Sequence, residues 1–296
     1  MMAFEPVLAC NARLGESPVW SAAEQALYFV DITGRALHRF RPATGEAQRL
    51  PLAEDTGCIG LAAGGGFVAG TRSGLWRLDA RGQPLARLAE NPEDPTVSRF
   101  NDGRVDPNGR FLAGTIDEPK AAAAAHLYRY DERGLAVLAD GLLTSNGLAF
   151  SPDGRTLYHS DTPRFVVYRY DYDPETGEAT NRRPFVRLDP NAADRARPDG
   201  ATVDVDGCYW TALYEGGRVQ RYDPEGRLMA EHRVPARRAT MPAFGGPDLR
   251  TLYLTTARDG AGPDELRAFP LSGAVFALQT DTAGLPTHEF SRWGGS

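Results

Sequence analysis

The stretch that decides the fold is residues 98–115, SRFNDGRVDPNGRFLAGT, in which a polar cluster opens two short apolar strands joined by a tight turn. The turn is DPNG at 106–109, and Asp, Asn and Gly are residues that such turns require. Two later stretches have the same form, SNGLAFSPDGRTLYHSD at 145–161 and PDGATVDVDGCYWT at 198–211. A carboxylate or amide followed by Gly therefore stands at the same structural position in separate repeats.

Short apolar strands recur along the chain at intervals of 38 to 52 residues. The residues that anchor them are Phe29, Phe67, Phe111, Leu157, Tyr209 and Leu252. A further strand follows most of them with a shared signature, as in LWRLD at 75–79 and LYRYD at 127–131. No segment shows a helical period. Six repeats of about four strands, each roughly 40–50 residues long, are typical of a β-propeller.

We therefore predict an all-β fold, a six-bladed β-propeller with four-stranded antiparallel blades, that forms one domain over residues 1–296. A closed ring also removes the exposed edges of a long β-meander. The strand near residues 6–11 and the late segment 288–291 are expected to close the ring by sharing one blade.

Composition excludes several classes of function. With 33 basic and 39 acidic residues the formal charge is −6, so no basic excess is present to bind nucleic acid. No signal peptide and no apolar run of about 20 residues is seen, which predicts no membrane contact. Cys10, Cys58 and Cys208 are scattered and odd in number, as expected for reduced thiols. We expect a cytoplasmic, monomeric protein.

Residues just ahead of the innermost strand of each blade should cluster around one mouth of the central channel. In chain order this position holds Glu16, Cys58, Asn101, Asn146, Asp199 and Met241. Four of the six offer an oxygen ligand, and carboxylate and amide oxygens without His or Cys favour a hard divalent cation with open positions. The alternative is that Asn-Gly and Asp-Gly only form turns, but a separate hairpin turn follows in each repeat.

Four motifs resemble the senescence marker protein/regucalcin and gluconolactonase family over essentially the whole chain. They are GESPVW at 15–20, RFNDGRVDPNGRFLAGT at 99–115, SNGLAFSPDGRTLY at 145–158 and RPDGATVD at 197–204. The resemblance implies a six-bladed propeller with one divalent metal ion in the channel that hydrolyses sugar lactones. The ion could be Ca, Zn, Mg, Mn or Fe(II).

The resemblance also assigns roles to individual residues. Glu16, Asn146 and Asp199 would be the metal ligands, and Asp199 would double as the general base. Arg99 and Asn101 would hold the substrate hydroxyls, joined by Glu118 in preference to Asp117. The function expected is that of a carboxylic-ester hydrolase that opens a pentono- or gluconolactone to the sugar acid in bacterial-type sugar oxidation.

Other sites and functions were weighed against this hypothesis. The cluster His159, Ser160 and Asp161 is not a catalytic triad, because neighbours in a strand point to alternate faces. The sequence that begins at Asp204 resembles the start of a calcium-binding EF-hand loop, but a predicted strand runs through it, which excludes the shape of such a loop. Residues 120–125, KAAAAA, are either a surface loop or a lid. The alternative functions are a calcium-binding regulatory propeller without catalysis and a phosphotriester or aryl-ester hydrolase.

Overall fold

Six four-stranded antiparallel sheets make up the computed structural model, which describes residues 3–293. In five sheets the four strands follow one another along the chain. We number these blades 1 to 5, and blade 6 combines the last three strands with the first. The predicted propeller of six antiparallel blades is therefore confirmed.

The strands have the following bounds. The first is β1 (Glu5–Leu8); blade 1 has β2 (Gly15–Ser21), β3 (Ala26–Asp31), β4 (Ala36–Arg41) and β5 (Glu46–Pro51); blade 2 has β6 (Thr56–Leu61), β7 (Phe67–Thr71), β8 (Gly74–Leu78) and β9 (Pro84–Glu90). Blade 3 has β10 (Ser98–Val105), β11 (Phe111–Asp117), β12 (Ala125–Asp131) and β13 (Gly134–Leu142); blade 4 has β14 (Ser145–Phe150), β15 (Thr156–Asp161), β16 (Val166–Asp173) and β17 (Glu178–Arg187). Blade 5 has β18 (Arg197–Val203), β19 (Tyr209–Tyr214), β20 (Arg218–Tyr222) and β21 (Leu228–Arg233); blade 6 adds β22 (Ala239–Gly245), β23 (Thr251–Thr256) and β24 (Val275–Gln279) to β1.

Helical structure within residues 3–293 is limited to the 3₁₀ turn Thr162–Arg164 and the short helix α1 (Pro263–Ala268). This agrees with the lack of a helical period in the sequence. None of the helices in the described part of the chain is long and apolar enough to cross a membrane. Cys10, Cys58 and Cys208 are free thiols, as predicted.

The first strand of each blade lies at the axis, where it contacts the first strands of both neighbouring blades and closes a ring. These strands are almost wholly buried, whereas outer strands such as β5 are mostly exposed. Every one of the six hydrophobic clusters joins two neighbouring blades; Trp210 of blade 5, for example, packs with Phe244 of blade 6. Burial of apolar surface between blades therefore holds the ring together.

The N-terminal strand closes the ring as predicted, whereas the late segment 288–291 does not. Strand β1 pairs antiparallel with β24, with Glu5 opposite Ala277. The prediction for residues 288–291 is wrong, because β24 already fills the third position of blade 6 and β1 covers the remaining edge. Instead Phe290 bridges Ala62 of blade 2 in parallel.

The segment after β24 crosses the end of the propeller at which the inner hairpin turns lie. Val205 N donates to Ala283 O at 3.0 Å in blade 5, and Ser291 N donates to Gly109 O at 3.0 Å in blade 3. Between these points residues 285–288 line a cavity in the channel together with the inner strands. This crossing segment therefore ties together blades that are not neighbours and covers one end of the channel.

Truncation of Phe290 tests the contribution of this crossing segment to stability. Its ring is fully buried and packs edge-on against Trp293 at a centroid distance of 4.5 Å. We expect Phe290→Ala to lower the free energy of unfolding by about 3–5 kcal/mol, as for other buried Phe residues. Urea denaturation followed by fluorescence measures this change.

Leu85→Ala is the control for that variant, because the Leu85 side chain on the outer strand β9 is 58% exposed. It should change the free energy of unfolding by no more than about 0.5 kcal/mol. Equal effects of the two substitutions would contradict a structural role for the crossing segment.

Candidate active site

A β-bulge marks the head of the inner strand in all six blades. The register between the first and second strands shifts at Glu16/Val19, Thr56/Cys58, Phe100/Gly103, Asn146/Ala149, Pro198/Ala201 and Ala239/Pro242. A bulge inserts an extra residue and re-aims the side chains around it. The four predicted oxygen ligands lie at these bulges, and the bulges of blades 2 and 6 present Cys58 and Met241 instead.

Four of the predicted site residues form one continuous chain of hydrogen bonds. Arg99 Nη1 donates to Asn101 Oδ1 at 2.8 Å, and Asn101 Nδ2 donates to Asn146 Oδ1 at 3.1 Å. Asn146 Nδ2 in turn donates to Asp199 Oδ1 at 2.6 Å. The structure therefore brings together residues from blades 3, 4 and 5 that are as much as 100 positions apart in sequence.

Thr162 fixes the orientation of the Asn146 amide. Its hydroxyl oxygen accepts a hydrogen bond from Asn146 Nδ2 at 2.9 Å and donates one to Pro198 O at 2.8 Å. The amide nitrogen of Asn146 is thus held by Thr162 and Asp199, so the amide oxygen points the other way. Thr162 was not among the predicted site residues, since nothing in its sequence context marks it.

Glu16 lies in the same electrostatic environment but outside this chain. Within residues 3–293 its side chain accepts one hydrogen bond, from Ser17 N at 3.2 Å. Burial raises the pKa of Glu16 well above its usual range, and the negative charges of Asp199 and Asp102 raise it further. Glu16 is therefore a buried carboxyl group close to other acids, with one weak donor to compensate its charge.

Asp199 is likewise buried. Burial raises its pKa well above the usual range and the charge of Asp102 adds to the rise, whereas the charges of Arg197 and Lys120 oppose it. With one oxygen bonded to Asn146, the other carboxylate oxygen of Asp199 is available to a ligand or substrate.

Asp102 is a third buried carboxylate, and it was not among the predicted site residues. Its two oxygens accept backbone hydrogen bonds from Gly103 N at 2.8 Å and Leu148 N at 3.0 Å. Burial raises the pKa of Asp102, and the bonds to Leu148 and Gly103 offset part of that rise. Its place directly after Asn101 in the same motif was the available signal.

Glu118 is the acid that faces Arg99, as preferred in the sequence analysis. Its carboxylate lies 3.9 Å from Arg99 Nε and makes a close ion pair with Arg72, at 2.8 Å. Asp117 instead accepts hydrogen bonds from the backbone N of Ala121 and Ala122, so it shapes the loop between β11 and β12. Arg72, on the turn between β7 and β8, has no sequence signal that would have identified it.

The rejected catalytic clusters have structural roles. His159 is fully buried, its Nε2 lies 2.8 Å from Ser145 Oγ, and burial lowers its pKa to about 3. Asp161 pairs instead with Arg164 at 2.9 Å, so the cluster 159–161 does not converge. Asp204 accepts hydrogen bonds from Cys208 N and Trp210 Nε1, and these contacts stabilise its hairpin rather than a calcium loop.

Gly147 allows the close packing behind the site. Its φ of +62° lies in the left-handed region, and a Cβ built there would stand 2.5 Å from the Tyr209 hydroxyl and 2.9 Å from Asp199 O. Any side chain at this position would push apart β14 and β18, which carry Asn146 and Asp199.

The donor set of Glu16, Asn146 and Asp199 fits a hard divalent cation. Two buried carboxylates with raised pKa values favour a nearby positive charge, and the Asn146 amide adds a neutral oxygen. Among the described residues no three His, Cys, Asp or Glu side chains group together as ligands for one ion. The predicted set counts only two such residues, so it would need further ligands from water or substrate.

A cavity of about 80 Å³ lies further along the channel from these residues. Ser17 and Gly103, which follow Glu16 and Asp102 in sequence, line it together with the half-buried Arg104, and His288 of the crossing segment lines it too. At about 10–15 Å³ per water it has room for several waters. The candidate site therefore stands between the open mouth of the channel and an internal cavity.

Comparisons with known proteins agree with the motifs and the fold. Residues 14–258 match the family described as SMP-30/Gluconolactonase/LRE-like region. The chain is 49% identical over 274 residues to 6-deoxy-6-sulfogluconolactonase of Pseudomonas putida, with 92% of each chain covered. It is 35% identical over 295 residues to regucalcin of Oryctolagus cuniculus, and this alignment covers 97% of the present chain and 98% of the rabbit protein.

A solved structure shows the same architecture. The crystal structure of a calcium-binding protein, regucalcin, from Agrobacterium tumefaciens superposes with a TM-score of 0.92 at 28% identity, covering 98% of both chains. The resemblance noted in the sequence is thus confirmed. The chain belongs to the SMP-30/gluconolactonase/LRE-like family.

Proposed function

We propose that this protein hydrolyses a sugar lactone, a pentono- or gluconolactone, to the sugar acid. The observation that carries the proposal is the hydrogen-bonded chain from Arg99 to Asp199 on the bulged heads of three inner strands. It combines a potential base with polar groups suited to a polyhydroxylated substrate. The 49% identity to a relative named 6-deoxy-6-sulfogluconolactonase supports lactone hydrolysis as the reaction.

The proposal includes one divalent ion held by Glu16, Asn146 and Asp199, with Ca, Zn, Mg, Mn and Fe(II) as candidates. Such an ion, when bound, supplies a Lewis acid that draws charge from the lactone carbonyl and stabilises the negative oxygen of the tetrahedral intermediate. The solved relative described as calcium-binding supports a divalent cation in this family.

Asp199 is the proposed general base. The Asn146 amide fixes one of its oxygens, which leaves the second to take a proton from the attacking water. Burial raises the pKa of Asp199 and a bound cation would lower it again, which would keep the carboxylate ionised and able to accept a proton. When the ring opens, the protonated Asp199 can return its proton to the leaving alkoxide.

Arg99, Asn101 and Glu118 are proposed to bind the substrate hydroxyls. Arg99 is buried, and Phe100 O and Asn101 Oδ1 hold its Nη1. Asn101 donates through Nδ2 to Ser145 O and Asn146 Oδ1, so both ends of its side chain are fixed. Glu118, positioned by Arg72, can accept hydrogen bonds from hydroxyl groups. Such fixed groups orient a substrate at little entropic cost.

A second candidate function is a calcium-binding propeller without catalysis. The observation that favours it is the 35% identity to a protein named regucalcin. In that case the ion would stabilise the fold, and no lactone would be turned over. Metal removal distinguishes the two functions.

Removal and return of the metal is the first test of the proposed function. Treatment with a chelator should abolish lactone hydrolysis and lower the melting temperature, because an ion that binds only the folded state stabilises it. Indicator-monitored acid release from aldonolactones and differential scanning fluorimetry measure the two effects. Full activity in a sample shown by elemental analysis to be metal-free would refute metal dependence.

Asp199→Asn tests the proposed base. The substitution keeps the shape and one ligand oxygen but removes the proton acceptor, so kcat should fall by about 10²–10⁴-fold. The matched control is Asp140→Asn, because Asp140 is an exposed aspartate on β13, the outermost strand of blade 3. If Asp199→Asn retained its ion and the parent rate, Asp199 would be a ligand only.

Arg99→Ala separates substrate binding from chemistry. It removes donors for the substrate hydroxyls and leaves Glu16, Asn146 and Asp199 in place. We expect KM to rise, with kcat falling as well if the contacts strengthen in the transition state. Steady-state kinetics and metal analysis of the purified variant test this. An unchanged KM and kcat with bound metal would exclude Arg99 from substrate binding.

A further inference from the structure

Two pairs of arginines at the channel mouth each share a single glutamate. In blade 5, Arg197 and Arg195 lie 2.9 and 3.8 Å from Glu215. Beside blade 6, Arg238 and Arg237 lie 2.8 and 3.4 Å from Glu265. Four guanidinium groups thus face two carboxylates, which leaves an excess of two positive charges (4 − 2) in a chain whose net charge is −6.

The opposite rim of the mouth carries no such excess. There Arg35 and Arg72 face Asp55 and Glu118, with the closest contacts at 2.8 Å. Arg99, 3.9 Å from Glu118, is a third cation on that side, and Glu54, which accepts a hydrogen bond from Ser73 next to Arg72, is a third anion, so the charges balance there. The excess of positive charge is therefore local to the rim formed by blades 5 and 6.

Tyr214 lies at the centre of the positive rim. Its ring is 5.3 Å from the guanidinium carbon of Arg197 and 5.7 Å from that of Arg238. Arg238 Nη1 donates to the Tyr214 hydroxyl at 3.2 Å. Because the hydroxyl oxygen accepts this bond, its hydrogen is directed elsewhere, and it has no acceptor within residues 3–293.

Arg197 also has donor capacity that the chain does not use. Its Nη2 pairs with Glu215, its enclosed Nε has no acceptor in the described part of the chain, and its Nη1 is the group that remains for a ligand. Arg238 differs, because bonds to Glu265, Tyr214, Asp259 O and Gly260 O occupy its guanidinium. Arg197 and the Tyr214 hydroxyl are therefore the groups with donors left for a ligand, and Arg238 orients Tyr214.

This rim lies next to the proposed catalytic base. Arg197 precedes Asp199 by two residues in β18 and pairs with Tyr214 in the neighbouring strand. Two residues of strand span at most about 7 Å, so a lactone bound at Asp199 would lie within reach of the Arg197 side chain. Arg197 also opposes the rise in the pKa of Asp199, which agrees with its proximity.

We propose that the substrate is a lactone with a second, anionic group on its far carbon, which Arg197 and the Tyr214 hydroxyl bind. The group is an oxyanion, either sulfonate, phosphate or carboxylate. This inference rests on the proposed function and names its substrate class. A guanidinium and a hydroxyl are suited to such oxygens, and the excess positive charge attracts an anion that Glu16, Asp102 and Asp199 would otherwise repel.

The test compares lactones that differ only in the far substituent. The parent protein is assayed with glucono-1,5-lactone and with its 6-phosphate, 6-deoxy-6-sulfo and 6-carboxylate counterparts. We expect at least one anionic lactone to exceed the neutral one in kcat/KM by tenfold or more, and the best of the three identifies the oxyanion. Arg197→Gln should reduce this preference by roughly 10- to 100-fold and Tyr214→Phe by about 3- to 10-fold.

Two control variants remove the same groups elsewhere. Arg35→Gln takes a charge from the balanced rim, and Tyr168→Phe removes a hydroxyl from β16. Both should keep the preference for the anionic lactone. A parent without this preference would overturn the inference, as would a preference that survives in the Arg197→Gln/Tyr214→Phe double variant.

Calorimetry separates this inference from the proposed function. The parent and variants are titrated with 6-phosphogluconate, 6-deoxy-6-sulfogluconate, glucarate and gluconate, which require no turnover. Tighter binding of an acid with a second anionic group that depends on Arg197 supports the anion site, and equal binding of all four refutes it. A parent that binds such an acid in this way but opens no lactone would refute only the proposed reaction.

Discussion

Burial of three carboxylates at one end of a channel is the constraint on which the rest of this structure depends. Glu16, Asp102 and Asp199 all have raised pKa values because burial penalises their charged forms. Each is compensated differently: Asp102 by two backbone N–H groups, Asp199 by the Asn146 amide, and Glu16 by one N–H of its neighbour. The two acids with the least compensation are those proposed to hold a cation, which follows from the cost of burying charge.

The propeller provides the rigidity that this arrangement needs. The three acids and the Asn146 amide lie on four different inner strands, and the apolar clusters between blades fix the positions of those strands. A bulge at the head of every inner strand then re-aims one or two side chains without disturbing the pairing below it. The backbone of the propeller therefore has nearly six-fold symmetry, whereas the chemistry of the site depends on which residue occupies each bulge.

The repeats made the fold and most of the candidate site predictable from sequence. Glu16, Asn101, Asn146 and Asp199 could be predicted because each occupies the same position in its own repeat. In a closed ring, equivalent positions of the repeats lie close together around the axis. Thr162, Arg72 and Tyr214 were not found, because each lies at the end of a second strand or in a loop, where no repeat marks it. The pairing of Phe290 with Ala62 of blade 2, in place of the expected pairing in blade 6, shows the same limit, since an apolar pattern does not indicate which strand a segment will pair with.

The segment that crosses the far end of the propeller affects the route by which a ligand can enter and leave the channel. Residues 285–288 line the channel cavity, and their segment crosses from blade 5 to blade 2 at the end remote from the mouth. We expect a ligand that reaches Asp199 from the mouth to leave by the same route. On the proposed function, substrate and product would compete for this one route, so accumulated sugar acid would slow turnover, and a long polymer would not pass through the ring.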